Sequence, residues 1–275
     1  MLEKRWLYNQ KMYAYSILIL FLFLYGYRIY SGRMISDLYG QPLQAPGLAY
    51  TYWLLLLVQI PQYIQQHYYI GIFIDVSILL IAIVLFFKCD NKYLAVLFLI
   101  LLFIQNSTVE IYANMHNKMP VAIFIAFFPL CFNKKYFEIT LEFSRYFLAF
   151  VLLSAAYHKF HNGAAYTFMH YYNVLINQHI DLSLGNPNHI SYQISRFLLQ
   201  SPYYTFIAFS LLIFAQGVFI IAFFTKKLDT ILFVFFFLFV LLGYLIMRIW
   251  TIDLLILAPT LLYKYTQNKK SYSSE

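Results

Sequence analysis

The chain has 275 residues, of which 62% are apolar, 21% are aromatic and only 11% are charged. A soluble domain carries roughly 25% charged and 45–50% apolar residues, so an ordinary soluble globule, a disordered chain and a secreted disulfide scaffold are excluded. The apolar residues form long blocks without the alternation of a membrane β-strand, and they predict an all-α, polytopic membrane bundle. The net charge of +8 does not indicate nucleic-acid binding, because most basic residues lie in short clusters between apolar blocks.

Eight apolar segments are predicted to cross the bilayer. In chain order they are Tyr13–Tyr30, Tyr69–Phe87, Tyr93–Ala113, Met119–Phe132, Glu142–Tyr157, Ser201–Phe224, Leu228–Met247 and Ile249–Lys264. Met119–Phe132 and Ile249–Lys264 are short for a hydrocarbon core of about 30 Å. A further stretch, Tyr50–Ile64, contains Pro61 and two glutamines, and we expect it to form an interfacial or re-entrant helix on the outer side.

The positions of the basic residues predict the orientation of these segments. With eight crossings and a cytoplasmic N-terminus, 13 of the 19 Lys and Arg residues lie on the cytoplasmic side, in agreement with the positive-inside rule. If Tyr50–Ile64 also crossed, the later basic clusters would move outside. The sequence therefore predicts a single domain over residues 1–275 with both termini cytoplasmic, a long outer loop over residues 160–200 and a tail over residues 265–275.

The N-terminal and compositional signals indicate where the protein resides. The basic start followed by an apolar run lacks a small-residue cleavage site, so we interpret it as a retained first span rather than a removed signal peptide. A composition rich in Phe, Tyr, Ile, Asn and Lys is typical of a bacterium with an AT-rich genome. We therefore expect a multi-pass protein of the bacterial cytoplasmic (inner) membrane.

Several ionisable residues are predicted to lie at membrane depth, where a charge costs at least about 2.5–3.5 kcal/mol. They are Asp75, Glu110, Lys159, Arg248 and Asp253. For the arginines and Asp253 the simpler interpretation is structural. Arg28, Arg33 and Arg248 would extend to the outer phosphates, and Asp253 would pair with Arg248. For Asp75 and Glu110, a structural ion pair and a ligand-binding role both remain open.

Lys159 differs from the other charged residues because it follows the small residues Ser154-Ala155-Ala156. Small residues let helices approach closely, and burial of an amine disfavours its ammonium form. A neutral amine can abstract a proton, whereas an ammonium group cannot. The sequence thus makes Lys159 a candidate base, although a structural lysine is the simpler interpretation.

All seven histidines are predicted to lie on the outer side. His158 and His161 have a spacing that can hold a metal on one helix face, but no carboxylate or cysteine completes a known zinc pattern. The flanking tyrosines favour an interfacial belt instead. Nucleotide-driven transport has no support, since no phosphate-binding glycine loop is present.

Two segments resemble the HTTM family, the membrane domain shared with vitamin K-dependent γ-glutamyl carboxylase. Tyr112–Met119 is similar to the family's Asn-His segment before a span, with His116 as the matching histidine and Asn114 near the asparagine position. Arg145–Phe160 is similar to the family's span end Y-F-x-A-G-x-x-K-L, with Lys159 on the lysine and a phenylalanine in place of the final leucine. After the lysine, His161-Asn162-Gly163-Ala164 stands where the family has Trp-x-x-Gly.

The resemblance implies an outer-facing pocket for a quinone-like or lipid-like ligand, with a reduced quinone as cofactor. In a carboxylase- or oxygenase-like lyase of this kind, Lys159 acts as the base and His116 holds an oxygen or oxyanion. Further pocket residues are predicted on the same side of the membrane. They are Asn114, Glu110, Asp75, His158 and His161.

Two functions from other classes remain open. In the first, the protein is a non-catalytic accessory subunit that binds a small secreted peptide or another membrane subunit during maturation or export, with Phe160–Gln200 as the docking surface. In the second, it is a small-molecule carrier in which Asp75 and Glu110 bind a coupling cation. The lipid bilayer is a partner in all three cases.

Overall fold

A computed structural model describes residues 2–32, 34–40, 57, 59–113, 119–247 and 252–262, and within these the regular structure is helical, without a β-strand. The α-helices are α1 (Leu2–Tyr30), α2 (Ile60–Gln66), α3 (Tyr68–Phe87), α4 (Lys92–Ala113), α5 (Met119–Phe127), α6 (Lys134–His161), α7 (His170–Gly185), α8 (Ile190–Leu198), α9 (Pro202–Gly217), α10 (Asp229–Met247) and α11 (Pro259–Leu262). Four 3-10 segments accompany them, at Ser36–Leu38, Phe128–Cys131, Val218–Phe223 and Ile252–Leu257.

Six segments of the described chain are long and apolar enough to cross a membrane. They are Gln10–Tyr30, Tyr68–Phe87, Lys92–Val109, Tyr136–His161, Pro202–Phe223 and Asp229–Ile246. These six correspond to six of the eight predicted spans, and the all-α class is confirmed. The other two apolar helices, Val121–Cys131 and Asp253–Leu262, are shorter, so a total of eight crossings stays a prediction.

Both short segments are interrupted by a change of helix type. Helix α5 passes into the 3-10 segment Phe128–Cys131 with Pro129 in its first turn, and the 3-10 segment Ile252–Leu257 is followed by α11, which begins at Pro259. Proline has no amide hydrogen and cannot continue the preceding hydrogen-bond ladder. The two interrupted segments pack against each other, and this packing shields their irregular backbone within protein.

The predicted interfacial helix lies mostly outside the described residues. The described end of Tyr50–Ile64 is helix α2, which starts at Ile60 after Gln59 in the left-handed region (φ 57°). Helix α2 packs against α3 and α4. Its placement at an outer interface stays a prediction.

A buried ion pair anchors α6 near its middle. The guanidinium of Arg145 donates to both carboxylate oxygens of Asp229, from Nε at 2.8 Å and from Nη2 at 2.7 Å, and Nη2 also donates to the Thr225 carbonyl at 2.9 Å. A second, more exposed pair joins Lys226 and Glu142 at 2.8 Å. These contacts fix α6 to the connection between α9 and α10.

The outer loop is largely ordered as two helices. Within the predicted loop over residues 160–200 the structure places α7 and α8. His189 caps the start of α8, because its Nδ1 accepts from the amide of Ser191 at 3.2 Å. Helix α8 is tied to α9, because the hydroxyl of Thr205 donates to the carbonyl of Leu198 at 2.9 Å. This contact holds the end of α8 against the first turns of α9.

The long helices expose stripes of large apolar side chains. On α3 the exposed residues recur at helical spacing, and they are Phe73, Val76, Leu80, Ile83 and Phe87. A stripe with the same spacing follows α9, and it consists of Tyr204, Ile207, Leu211 and Phe214. Soluble monomers rarely expose continuous apolar surface of this extent.

Candidate functional site

Lys159 lies in the last turn of α6, where the helix end is fixed by Gly163. That glycine adopts φ 73°, a left-handed conformation that commonly follows a helix C-terminus. The Lys159 side chain is half-buried, and its Nζ donates to Oε1 of Gln216 at 2.6 Å. Gln216 is buried on α9, so the amine lies between the two helices.

Next to this contact, α6 and α9 share an apolar core that contains a small residue and stacked aromatic rings. Ala156, one turn before Lys159, is buried in a second apolar core that includes Phe209 and Ile213 of α9. Tyr171 of α7 stacks on Phe209 with ring centroids 4.2 Å apart and planes 3° from parallel. The close approach predicted from Ser154-Ala155-Ala156 is therefore observed at Ala156.

The buried phenol of Tyr171 is a further polar group of this core. Its hydroxyl oxygen has no hydrogen-bond partner among the described residues, and burial raises the pKa of the phenol. It therefore remains protonated at neutral pH. On the same helix His179 is buried, and its Nε2 lies 2.7 Å from the carbonyl of Ile246, which ties α7 to α10.

The contact between Lys159 and Gln216 is compatible with chemistry at the amine. A carboxylate partner would stabilise the ammonium form strongly, whereas an amide oxygen is neutral and accepts a hydrogen bond from either protonation state. The buried partner fixes the position of Nζ. The arrangement therefore holds an amine in place without committing it to the charged form through this contact.

The histidines near Lys159 do not converge on one point. The Nε2 atom of His158 lies 2.8 Å from Nδ2 of Asn162, and the ring of His161 stacks on Tyr157 at 5.8 Å. Both imidazoles are exposed. Among the described residues no group of three His, Cys, Asp or Glu side chains could hold a metal ion.

Asp75 belongs to a different group of polar residues, and it is buried on α3. Its Oδ2 accepts from the amide and the hydroxyl of Ser36, each at 3.0 Å, and its Oδ1 accepts from Nε2 of Gln105 at 2.8 Å. Tyr25 completes the group, because its hydroxyl donates to the Asp75 carbonyl at 2.8 Å and accepts from Gln105 at 3.0 Å. A methyl group at Gly71 would lie 3.0 Å from Cγ2 of Ile35, so glycine permits this close approach.

A partly buried ion pair of Arg28, one turn after Tyr25 on α1, lies next to this group of residues. Nη1 of Arg28 donates to Oδ1 of Asn106 at 2.6 Å, and Nη2 donates to Oδ2 of Asp253 at 3.2 Å. The expectation that Arg28 extends to the outer phosphates is wrong, since its side chain is 13% exposed and its partners come from the bundle. Asp253, expected to pair with Arg248, pairs with Arg28. Arg248 lies outside the described residues.

We call these residues the polar layer. It consists of Tyr25, Arg28, Ser36, Asp75, Gln105, Asn106 and Asp253. The structure joins Asp75 to this layer and Lys159 to Gln216 on α9, so these two predicted site residues have separate partners. Asn114 and His116 lie outside the described residues, as does the side chain of Glu110 in the last turn of α4.

Three partners in these groups were not predicted from the sequence, namely Gln216, Ser36 and Tyr25. Gln216 carried a usable signal, because it is a lone amide inside an otherwise apolar span. Ser36 carried none, since a serine after a span end is ordinary. The partners were missed because no local pattern tells which distant helix faces a given side chain.

The chain is thus an all-helical protein with six helices of membrane-spanning length and character in its described part. No family model, no curated protein and no solved structure matches it.

Proposed function

We propose that this protein is a multi-pass protein of the bacterial cytoplasmic membrane, with both termini in the cytoplasm. The exposed apolar stripes on α3 and α9 support this placement, because a bilayer covers such surface at no cost. The ion pairs of Arg145 and Lys226 lie in the half of α6 that we assign to the cytoplasmic side, and His158 and His161 lie at the other end. The basic residues follow the positive-inside rule in this orientation.

Within this membrane protein, Lys159 is the base that acts on a quinone-like or lipid-like ligand from the outer side. The single observation that carries the proposal is the 2.6 Å hydrogen bond from its Nζ to the buried Gln216. With a reduced quinone as ligand, the amine takes the hydroxyl proton: the O–H bond breaks, an N–H bond forms, and quinolate and ammonium result. Gln216 then accepts a hydrogen bond from that ammonium.

The resemblance to the carboxylase membrane domain points to the same residue by an independent route. It was drawn from the pattern around Arg145–Phe160, and the contact with Gln216 was not part of it. His116 would hold the oxygen of the ligand in this scheme, and Asn114 would lie beside it. His158 and His161 flank the amine on the exposed side.

The proposal is tested with purified protein in lipid nanodiscs and reduced menadione as the probe. Under oxygen a base accelerates conversion of the quinol to quinone and hydrogen peroxide, with oxygen as the oxidant. We expect Lys159→Met to slow quinol consumption at least about 100-fold. Lys227→Met removes an exposed lysine at the other end of the molecule and should leave the rate unchanged. Equal rates for wild type and Lys159→Met would refute the assignment.

A second candidate function, a small-molecule carrier, is favoured by the interrupted helices in the core. Transporters commonly place buried charges beside broken helices at membrane depth. Here Asp253 lies in the 3-10 segment Ile252–Leu257, it is 2% exposed, and its Oδ1 has no hydrogen-bond partner in the described chain. A free carboxylate oxygen in that position can bind a proton.

The carrier function predicts proton movement across proteoliposomes that contain the dye pyranine. An imposed pH gradient should collapse faster with wild type than with Asp253→Asn, and Lys159→Met should behave as wild type. A collapse rate equal to that of empty vesicles would exclude the carrier. Because each function depends on a different residue, the two variants separate them.

A further inference from the structure

A hollow of about 400 Å³ lies along α8 and the residues that flank it, and it shares no lining residue with the surroundings of Lys159 or with the polar layer. Its lining residues are Pro187, Asn188, Gln193, Arg196, Phe197 and Gln200. Arg196 is exposed there and forms no ion pair with a carboxylate of the described residues. Around its guanidinium the hollow offers three amide side chains. Guanidinium and amide N–H groups are the donors that a phosphate group requires.

The shape of the hollow is held by contacts within the fold. Nε2 of Gln193 donates to the carbonyl of Asn188 at 3.4 Å, which closes one rim. The ring of Phe197 stacks on Tyr204 of α9, with centroids 5.6 Å apart and planes 7° from parallel. Ser191, Ser195 and Leu198 are buried on the opposite face of α8, so Arg196 cannot turn inward.

The hollow continues into an apolar surface along α9. From Tyr204, the exposed stripe runs through Ile207 and Leu211 to Phe214. Ten residues of α-helix rise about 15 Å, which is half of a hydrocarbon core of about 30 Å. The stripe is therefore as long as one leaflet is thick, and it begins at the hollow.

We propose that this surface binds one phospholipid of the outer leaflet, with the headgroup phosphate in the hollow and an acyl chain along the α9 stripe. The charge and the donors of the hollow complement a phosphate, and the stripe is continuous with the surface that the bilayer covers. Tyr203 and Tyr204 lie at the junction, where tyrosines favour the headgroup level. The inference rests on the proposed membrane placement, but it is independent of any chemistry at Lys159.

The test is native mass spectrometry of the detergent-purified protein with added lipids. Dioleoyl phosphatidylglycerol should bind with one site tighter than the rest. Arg196→Gln should weaken that site about tenfold, because one charge-assisted contact is lost. Arg196→Lys keeps the charge without the planar fork and should lie between the two. Lys227→Gln removes the same charge from an exposed position at the other end and should change nothing.

Four further probes decide between a phospholipid and other occupants. Dioleoylglycerol lacks the phosphate, and dihexanoyl phosphatidylglycerol lacks chains that reach along the stripe; both should bind at least tenfold more weakly. Inorganic phosphate at millimolar concentration, and an acidic peptide, should displace little of the long-chain lipid. Equal binding of either lipid analogue, or displacement by the peptide at micromolar concentration, would overturn the proposal. So would an equal loss of affinity in Arg196→Gln and Lys227→Gln.

Carbonate extraction of cell membranes separates this inference from the placement on which it rests. If the protein leaves the membrane at alkaline pH, the membrane placement fails and the lipid site fails with it. If the protein stays and Arg196→Gln binds lipid as wild type does, only the lipid site is wrong. Arg196 is exposed, so we expect the variant to fold and to unfold at the wild-type temperature.

Discussion

The polar layer and the region around Lys159 both contain charged groups on long apolar helices, but the partners of those groups differ between the two regions. In the polar layer, Asp75 and Arg28 have partners on neighbouring segments at 2.6–3.2 Å, and both are screened from the surroundings. Around Lys159 a buried neutral amide, that of Gln216, accepts from the amine, and His158 and His161 are exposed. The first arrangement fixes neighbouring segments to one another, and the second leaves the two imidazoles accessible to a ligand.

The difference between the two regions predicts which substitutions lower the free energy of unfolding and which lower only the activity. A buried charge that loses its partner is expensive, because its desolvation is no longer compensated. A half-buried amine that loses one neutral partner costs much less. We therefore expect the free energy of unfolding to fall steeply for the polar layer and slightly for Lys159.

The largest effect is expected for Arg28→Met, which leaves the buried carboxylate of Asp253 without its donor. The free energy of unfolding should fall by about 3 kcal/mol, as measured by denaturant unfolding in mixed micelles. The double variant Arg28→Met with Asp253→Leu should recover most of this loss, since no buried charge remains. A loss below about 1 kcal/mol in the single variant would place Arg28 in water and remove the distinction between the two regions.

A smaller effect is expected for Asp75→Ala, which leaves three donors of Ser36 and Gln105 without their acceptor. Hydrogen bonds in membrane proteins contribute about 0.6 kcal/mol each on average, with a penalty for buried groups left unpaired. The expected loss is about 2 kcal/mol, and Asp75→Asn should lose less because one acceptor oxygen remains. Wild-type stability in the alanine variant would show that Asp75 does not hold the Ser36 turn against α3.

The smallest effect is expected for Lys159→Met. The apolar chain keeps most of the packing, and the oxygen of Gln216 loses its donor, so the free energy of unfolding should fall by about 1 kcal/mol or less. A thermal scan beside Gln216→Leu provides the matched control from the other partner. A loss as large as that of Arg28→Met would make Lys159 a structural residue and contradict its assignment as a base.

Local patterns in the sequence were enough to predict much of the fold. The spans were located because long apolar blocks report burial in lipid or protein, and six of them are helices of membrane length. The shortness of Met119–Phe132 was visible in the sequence, but its packing against the segment at Asp253 was not. Helix α8 was missed because it is short and alternates Ser191, Gln193 and Arg196 with apolar residues.

The partners within the candidate site were harder to predict. Lys159 was singled out from its position at a span end and from the resemblance. Gln216 lies 57 positions away, and Asp253 lies 225 positions from Arg28. Periodicity tells which face of a helix is buried, but it does not tell which distant helix covers that face. Long-range pairs of this kind depend on the packing of the whole bundle.

The ion pair of Arg145 with Asp229 fixes α6 at one point, and the part of the helix beyond this point can tilt about it. Arg145 is clamped to Asp229, and Lys159 lies fourteen residues further on, about 21 Å along the axis. A rotation of only about 5° between α6 and α9 around that clamp displaces the far end by roughly 2 Å. Such a displacement would part the amine from Gln216 while the ion pair of Arg145 keeps its geometry, so the contact at the end of α6 is sensitive to small changes in the packing of α6 against α9.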